Sequence, residues 1–318
     1  MKLTINPILA LLIFPGGLAL LAYSLVYEFV DRKLVARFQN RIGPRWFQPL
    51  ADFIKLLAKE EIIPAGVNPG LFIMLPIVAL AAALTAALYV PMFGLQPAYS
   101  FSGDLVVTLY LLSMMTLCIG LAGANTQDRF SLVGATRALT QLFSYEAPFM
   151  LAMLGPAIAI GSWNIGTINS ATSVSWWYMF TQPFGFLVAL VGLMGKLELP
   201  PFDAPEAETE IVAGALTEYS GRGLGLFHLG RDAELVIGLS MIASFYMGGL
   251  SSPIDFLWKT LVLLLVTALL QSLFARLRID QTVGMWWRVG VIVVLVQLMV
   301  IILGRYLGPM IQPLLGGL

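Results

Sequence analysis

Eight apolar runs, each long enough to cross a bilayer, occupy most of this chain and restrict it to one kind of fold. They lie at roughly 7–27, 70–92, 105–124, 132–160, 178–197, 224–249, 255–275 and 287–308. A transmembrane helix needs about 20 apolar residues. Hydrophobic residues make up 58% of the 318, and little polar sequence remains for a separate soluble unit. The expected fold is therefore an all-α polytopic membrane protein, a single membrane domain over residues 1–318 with eight transmembrane helices. The first run is longer than the apolar core of a signal peptide and has no convincing cleavage site, so it reads as a retained helix.

Basic residues set the orientation. The connections after odd-numbered spans carry Arg32, Lys33, Arg37, Arg41, Arg45, Lys55, Lys59, Arg129, Arg222, Arg276 and Arg278. The opposite side has Lys2, with Lys259 and Arg305 near span ends. The positive-inside rule places the basic connections in the cytoplasm and both termini outside. The formal net charge is zero, which leaves no nucleic-acid footprint. One cysteine, Cys118, and one histidine, His228, cannot supply a cysteine-ligated iron–sulfur cluster and make a His/Cys metal site very poorly supported.

Against this apolar background the charged residues are informative. Residues 198–222 form an acidic cytoplasmic loop containing Glu198, Asp203, Glu206, Glu208, Glu210 and Glu218 between two spans. Pro200, Pro201 and Pro205 prevent a regular helix through its first part. Helical pattern resumes near Ala207, which predicts Glu206, Glu210 and Glu218 on one face. Broken backbone at membrane depth is tolerated only beside protein or water, so the loop reads as the floor of a polar funnel; an ordinary solvated loop is the bland alternative. In the fourth span, Arg137 and Glu146 are nine residues apart and project to nearly opposite faces, so each needs a partner on another helix. Glu146 lies ~21 Å along that helix from Leu132. An ionisable residue at such depth is a functional candidate by default, with a structural interhelix bond as the plain alternative. The sixth span opens FHLGRDAELVIG, where His228 can reach Asp232 and Arg231 can reach Glu234. That spacing predicts a self-satisfied cluster, with Glu234 the deeper and better titrating candidate.

The first cytoplasmic connection, residues 28–69, is long. Its basic opening closes in a Gly43-Pro44 turn. Leu50, Phe53, Ile54 and Leu57 then fall at helical spacing while Asp52, Lys55 and Lys59 take other faces. This predicts an amphipathic interfacial helix of about four turns, ended by Pro64. A surface anchor is the simpler reading and a docking platform the sharper one. Trp163, Trp176 and Trp177 read as interfacial anchors on the outer side.

Three segments together resemble one family. DRKLVARFQNRIGP with QPLADFIKLLAKEEIIP, ALTQLFSYEAP, and PPFDAPEAETEIVAGALTEYSG are similar to motifs of the subunit 1 (H subunit) family of respiratory NADH–quinone oxidoreductase, complex I. The resemblance covers essentially the whole chain. It implies a membrane coupling subunit with no redox centre of its own, in which Glu146, Asp203, Glu206, Glu208, Glu210 and Glu218 belong to a proton path; Glu198, Arg137, Asp232 and Glu234 join it on the residue-level reading above. It also implies that the stretch from Arg37 to Glu61 faces electron-transfer subunits, with Arg37, Arg41, Arg45, Trp46, Asp52, Lys55 and Lys59 as the interface. The link from the RIGP turn to the QPLAD helix is only Arg45-Trp46-Phe47, shorter than in respiratory members, where that stretch shapes the quinone entrance. The GRDAELV opening resembles the related subunit of membrane-bound hydrogenases and their sulfur-reducing relatives. That branch implies ferredoxin as donor, hydrogenase-like large and small subunits carrying iron–sulfur clusters and a Ni-Fe or related site, antiporter-like membrane neighbours, lipids, and a prokaryotic cytoplasmic membrane. Rival readings are a quinone-chamber subunit, a stand-alone ion transporter and a passive membrane anchor.

Overall fold

The computed structural model describes residues 12–13, 16–174 and 178–315. Lys2, the start of the first apolar run, and Trp176 and Trp177 lie outside the described residues, as does the Glu208 side chain. Among the described residues the regular structure is helical. In chain order it consists of α1 (Gly17–Phe38), α2 (Gln48–Ala58), α3 (Pro69–Ala87), α4 (Asp104–Asn125), α5 (Arg129–Ile160), α6 (Ile165–Val174), α7 (Tyr178–Thr181) and α8 (Pro183–Lys196). Then come α9 (Glu208–Ile211), a short 3₁₀ turn (Gly214–Leu216), α10 (Gly221–Tyr246), α11 (Pro253–Leu273), α12 (Ile279–Met285), a π-turn (Trp286–Gly290) and α13 (Val291–Leu315).

Five helical stretches are long and apolar enough to cross a membrane: α3, α4, α5, α11 and Ile279–Arg305. The remaining apolar runs differ for identifiable reasons. α1 carries Glu28, Asp31, Arg32, Lys33 and Arg37 in its second half. α8 has 14 residues, about 21 Å at 1.5 Å per residue, short of the roughly 30 Å hydrocarbon core. α10 holds its charges up to Glu234 and is buried without interruption from Ala233 to Tyr246. A helix apolar on every side belongs at the centre of a bundle, and α10 is in the middle of the main core with Val236, Ile237, Leu239 and Ile242.

The connections gather at two ends. At one end Asn125 donates to the Asn68 carbonyl, Gln127 to Gly66, and the Leu277 amide to Pro201, while Gly221 abuts the Glu60 carbonyl. At the other end the Leu105 amide bonds the Trp163 carbonyl, Leu250 bonds Asn169, and Gly94 lies against Pro253. The acidic loop thus shares an end with α2 and the 276–278 connection. Asn68 and Asp128 cap α3 and α5 there with their side-chain oxygens.

The α2 helix is real but shorter than the spacing predicts. It runs for 11 residues, about three turns, and stops at Lys59 rather than Pro64. Leu50, Ile54 and Leu57 are exposed on the isolated chain. Phe53 and Leu56 instead face Gly225 of α10, so Phe53 turns inward from the stripe while Leu50, Ile54 and Leu57 face outward.

Candidate functional site

Lys196, the last residue of α8, has its side chain fully enclosed. Its ammonium lies 3.5 Å from Glu146 Oε2 on α5 and 3.8 Å from Glu234 Oε1 on α10. Ser113 of α4 lies 3.4 Å from the same Nζ and donates to Glu146 Oε1. The rings of Tyr145 and Phe149 stand 5.7 and 5.8 Å from the charge, close enough for cation–π attraction. A lysine buried at this depth needs carboxylate or π partners to offset the lost hydration. α5 and α10 supply them, and α4 adds the Ser113 hydroxyl. Neither oxygen of Glu234 accepts a hydrogen bond from the described residues.

A second charged group lies toward the loop. Arg231 of α10 reaches Glu198 Oε2 at 2.9 Å and also bonds Glu206. This corrects the expected Arg231–Glu234 pair. Positions i and i+3 differ by about 60° around a helix axis; Arg231 turns to the loop and Glu234 to Lys196. Burial pushes the Glu198 carboxyl up to about 7, against the pull of Arg231 and with Glu206 adding to the rise. For Glu206 burial also raises the value, but the Arg231 guanidinium overrides it and holds the carboxyl below its ordinary range. One arginine therefore sits between a carboxylate that stays charged and one poised to take a proton near neutrality.

The loop is clamped onto α5. Gln141 donates to the Gly195 and Phe202 carbonyls at 2.9 and 2.7 Å. Arg137 pairs with Glu210 at 2.8 Å and bonds the Ala204 carbonyl. The hydrogen bond and charge of Arg137 hold the Glu210 carboxyl low. Arg276 grips Asp203 through two contacts of 2.9 and 2.6 Å. Gly134 makes this approach possible: a Cβ there would lie 2.3 Å from the Ala215 nitrogen. The expected single face of Glu206, Glu210 and Glu218 does not form. Val212 adopts φ +62 and Gly214 φ +55, ending α9 after one turn and sending the three side chains apart.

Asp232 faces neither Arg231 nor the lysine group. It lines a cavity of about 330 Å³ between α1, α2 and α10, with Glu28, Arg32, Asp52, Lys55 and His228. Arg32 bonds Glu28 and lies 3.5 Å from Asp52. Trp46, in the link before α2, is 76% exposed and packs against Phe47. Among the described residues no group of three or more His, Cys, Asp or Glu side chains is arranged to hold a metal ion.

Sequence reasoning passed over Lys196, Ser113 and Glu28. Lys196 had one signal: a lysine ending an apolar run, two residues before a glutamate, in a chain with few charges. Ser113 and Glu28 had none, because their partners lie on distant helices.

Fold and site together define a polytopic helical membrane protein with two largely buried charged groups, Glu198–Arg231–Glu206 and Glu146–Lys196–Glu234. The chain belongs to the NADH dehydrogenase family, whose description matches residues 9–302. It is 32% identical to the H subunit of NADH-quinone oxidoreductase from Carboxydothermus hydrogenoformans, over 96% of this chain and 91% of that one. It is 34% identical to the same subunit from Dehalococcoides mccartyi, over 83% and 77%. The fold matches a chain of the membrane-bound sulfane sulfur reductase, an archaeal respiratory membrane complex, with a TM-score of 0.81 and 25% identity, covering 89% of this chain and 96% of that one.

Proposed function

We propose that this chain is the membrane coupling subunit of a complex-I-like, ferredoxin-driven complex of the membrane-bound hydrogenase type. It would lie in a prokaryotic cytoplasmic membrane as one domain of eight spans with both termini outside. The charged line carries this reading. Glu206, Arg231 and Glu198 lead from the loop to Glu234, Lys196 and Glu146 in the interior. Lys196 is nearly equidistant from its two carboxylates, 3.5 and 3.8 Å, so a small displacement decides which of them it neutralises. A redox event that shifts the loop would move Arg231 relative to Glu198, change that group's proton affinity, and bias Lys196 between Glu146 and Glu234. The driver has to interact differently with the two arrangements. The exposed edge formed by Arg37, Arg41, Arg45, Trp46 and Lys59 is the contact for hydrogenase-like electron-transfer subunits, and antiporter-like neighbours receive the proton or ion signal.

The short Arg45–Phe47 link and the likeness to the sulfane sulfur reductase chain favour a branch without quinone. Identities of 32–34% to the quinone oxidoreductase relatives favour a second reading, a quinone-chamber subunit. Glu146→Gln in the assembled complex tests the coupling role: subunit composition is expected to stay normal while ion pumping in proteoliposomes is lost. Pumping at the native rate by an assembled variant would refute it. Hydrogen evolution from reduced ferredoxin, assayed beside quinone reduction, separates the branches. Quinone reduction returns the chain to the respiratory branch, and polysulfide reduction points to the sulfur-reducing one.

A further inference from the structure

We infer that an anionic phospholipid of the surrounding membrane binds in the cleft between α5 and α12, with its phosphate in a basic mouth and an acyl chain in the groove behind it. Asp280, Val283, Gly284 and Trp287 fall at i, i+3, i+4 and i+7 along α12 and the π-turn. With Thr140 of α5 and Arg288 they line a cavity of about 550 Å³. Gly284 borders open space in this groove, where a Cβ would meet nothing within 4 Å. Trp287 is 52% exposed at its edge, a side chain suited to the boundary between headgroups and hydrocarbon. Through Ile279 and Asp280 the groove continues into a second cavity of about 430 Å³ walled by Arg137, Arg276 and Arg278.

Charge identifies the occupant. Four arginines, Arg137, Arg276, Arg278 and Arg288, surround the two cavities, against three acids, Glu210, Asp203 and Asp280. Arg137 and Arg276 are engaged by the loop acids at 2.8 and 2.6 Å. Arg278 pairs with Asp280 at 3.6 Å, but both side chains are largely exposed, at 81% and 68%. Arg288 has no ion pair among the described residues. Three pairs leave one net positive charge, on Arg288, which lines the apolar groove, while the exposed Arg278–Asp280 pair at the mouth is weak enough for a phosphate to displace. Guanidinium groups match phosphate oxygens geometrically, and basic side chains at a bilayer surface attract anionic headgroups. A soluble anion would use the mouth and leave the groove unexplained; a phospholipid uses both. The phosphate would lie beside the Arg137–Glu210 and Arg276–Asp203 pairs that clamp the acidic loop, so lipid occupancy would set how firmly that clamp holds. This inference requires the chain to lie in a membrane and does not depend on the coupling role, so the two readings can fail separately.

The test uses the native complex, delipidated in mild detergent and titrated with phosphatidylglycerol or phosphatidylcholine, with bound lipid counted by native mass spectrometry. One tight equivalent per chain is expected for phosphatidylglycerol and not for phosphatidylcholine. Arg278→Ala with Arg288→Ala should raise the half-saturating phosphatidylglycerol concentration about 25-fold, at roughly fivefold per basic residue. Gly284→Leu keeps every charge but fills the groove, and should abolish the tight equivalent by a different route. Equal binding of the two lipids by the native complex overturns the inference, as does unchanged phosphatidylglycerol binding in either variant. A neighbouring protein photocrosslinked to position 284 in place of lipid overturns it as well.

Discussion

Among the described residues two lysines are buried between apolar helices, and they are held by different chemistry. Lys196 faces two carboxylates and a serine hydroxyl. Lys259, on α11, donates to the Gly248 and Gly249 carbonyls at 3.3 and 2.6 Å and lies over the Trp258 ring. Both arrangements offset a desolvated charge. They differ in what can happen afterwards. A peptide carbonyl cannot gain or lose a proton at ordinary pH, so Lys259 is a fixed pin between α11 and a turn whose glycines have φ +80 and +68. A carboxylate can, so the charge balance around Lys196 has more than one available arrangement. Residue type and burial are shared by the two lysines; the partners decide which of them can take part in ion movement.

Lys196→Met strikes the comparison hardest. It leaves Glu146 and Glu234 facing each other without a cation, and breaking a buried pair in this way costs about 3–5 kcal/mol. The expected result is a less stable complex whose redox turnover persists while ions moved per electron fall to background in proteoliposomes. Native pumping in this variant would remove the distinction drawn between the lysines. Lys259→Met should have a smaller and different effect. Two buried carbonyls lose their donor, at about 1–3 kcal/mol each, so the thermal transition of the complex should fall while ions per electron stay unchanged. A coupling defect without a stability defect would show that the fixed pin is more than a pin.

The same distinction explains what could be read from sequence. The helical class, the break at Pro200–Pro205 and the opposed faces of Arg137 and Glu146 follow from local periodicity, and periodicity survives folding. The partners of those residues are set by tertiary approach. Arg137 meets Glu210, 73 positions away, and Glu146 meets Lys196, 50 positions away. No spacing rule reaches that far. Local reasoning also erred where a nearby partner was available but a distant one was better placed, as with Arg231. Past Ala207 it erred because a helical pattern was broken by the backbone at Val212 and Gly214, in a segment that has to fold down onto Gly134. The apolar stripe of α2 was legible as a stripe, but the outward direction of Leu50, Ile54 and Leu57 depends on Phe53 and Leu56 meeting Gly225.

The smallest expected effect sharpens the comparison most, because it concerns a single proton. Glu198 and Glu206 share Arg231, yet burial takes the first up to about 7 from 4.5 while the guanidinium holds the second below 4.5. The signs are opposite. Between pH 4.5 and 7 the folded loop holds a proton on Glu198 that the unfolded chain has released, so Glu198 favours the folded loop at the acid end of this window. That contribution is lost as pH rises through about 7. Glu206 works the other way, contributing above its ordinary range and losing its contribution only in stronger acid. Amide hydrogen exchange over residues 199–207, corrected for the intrinsic pH dependence of exchange, should therefore quicken a few-fold as pH rises through this window. Glu198→Gln should flatten the profile while leaving Arg231 paired with Glu206. If the slope survives in Glu198→Gln, the proton belongs to another group, and the loop would then be as fixed in charge as the turn that Lys259 pins.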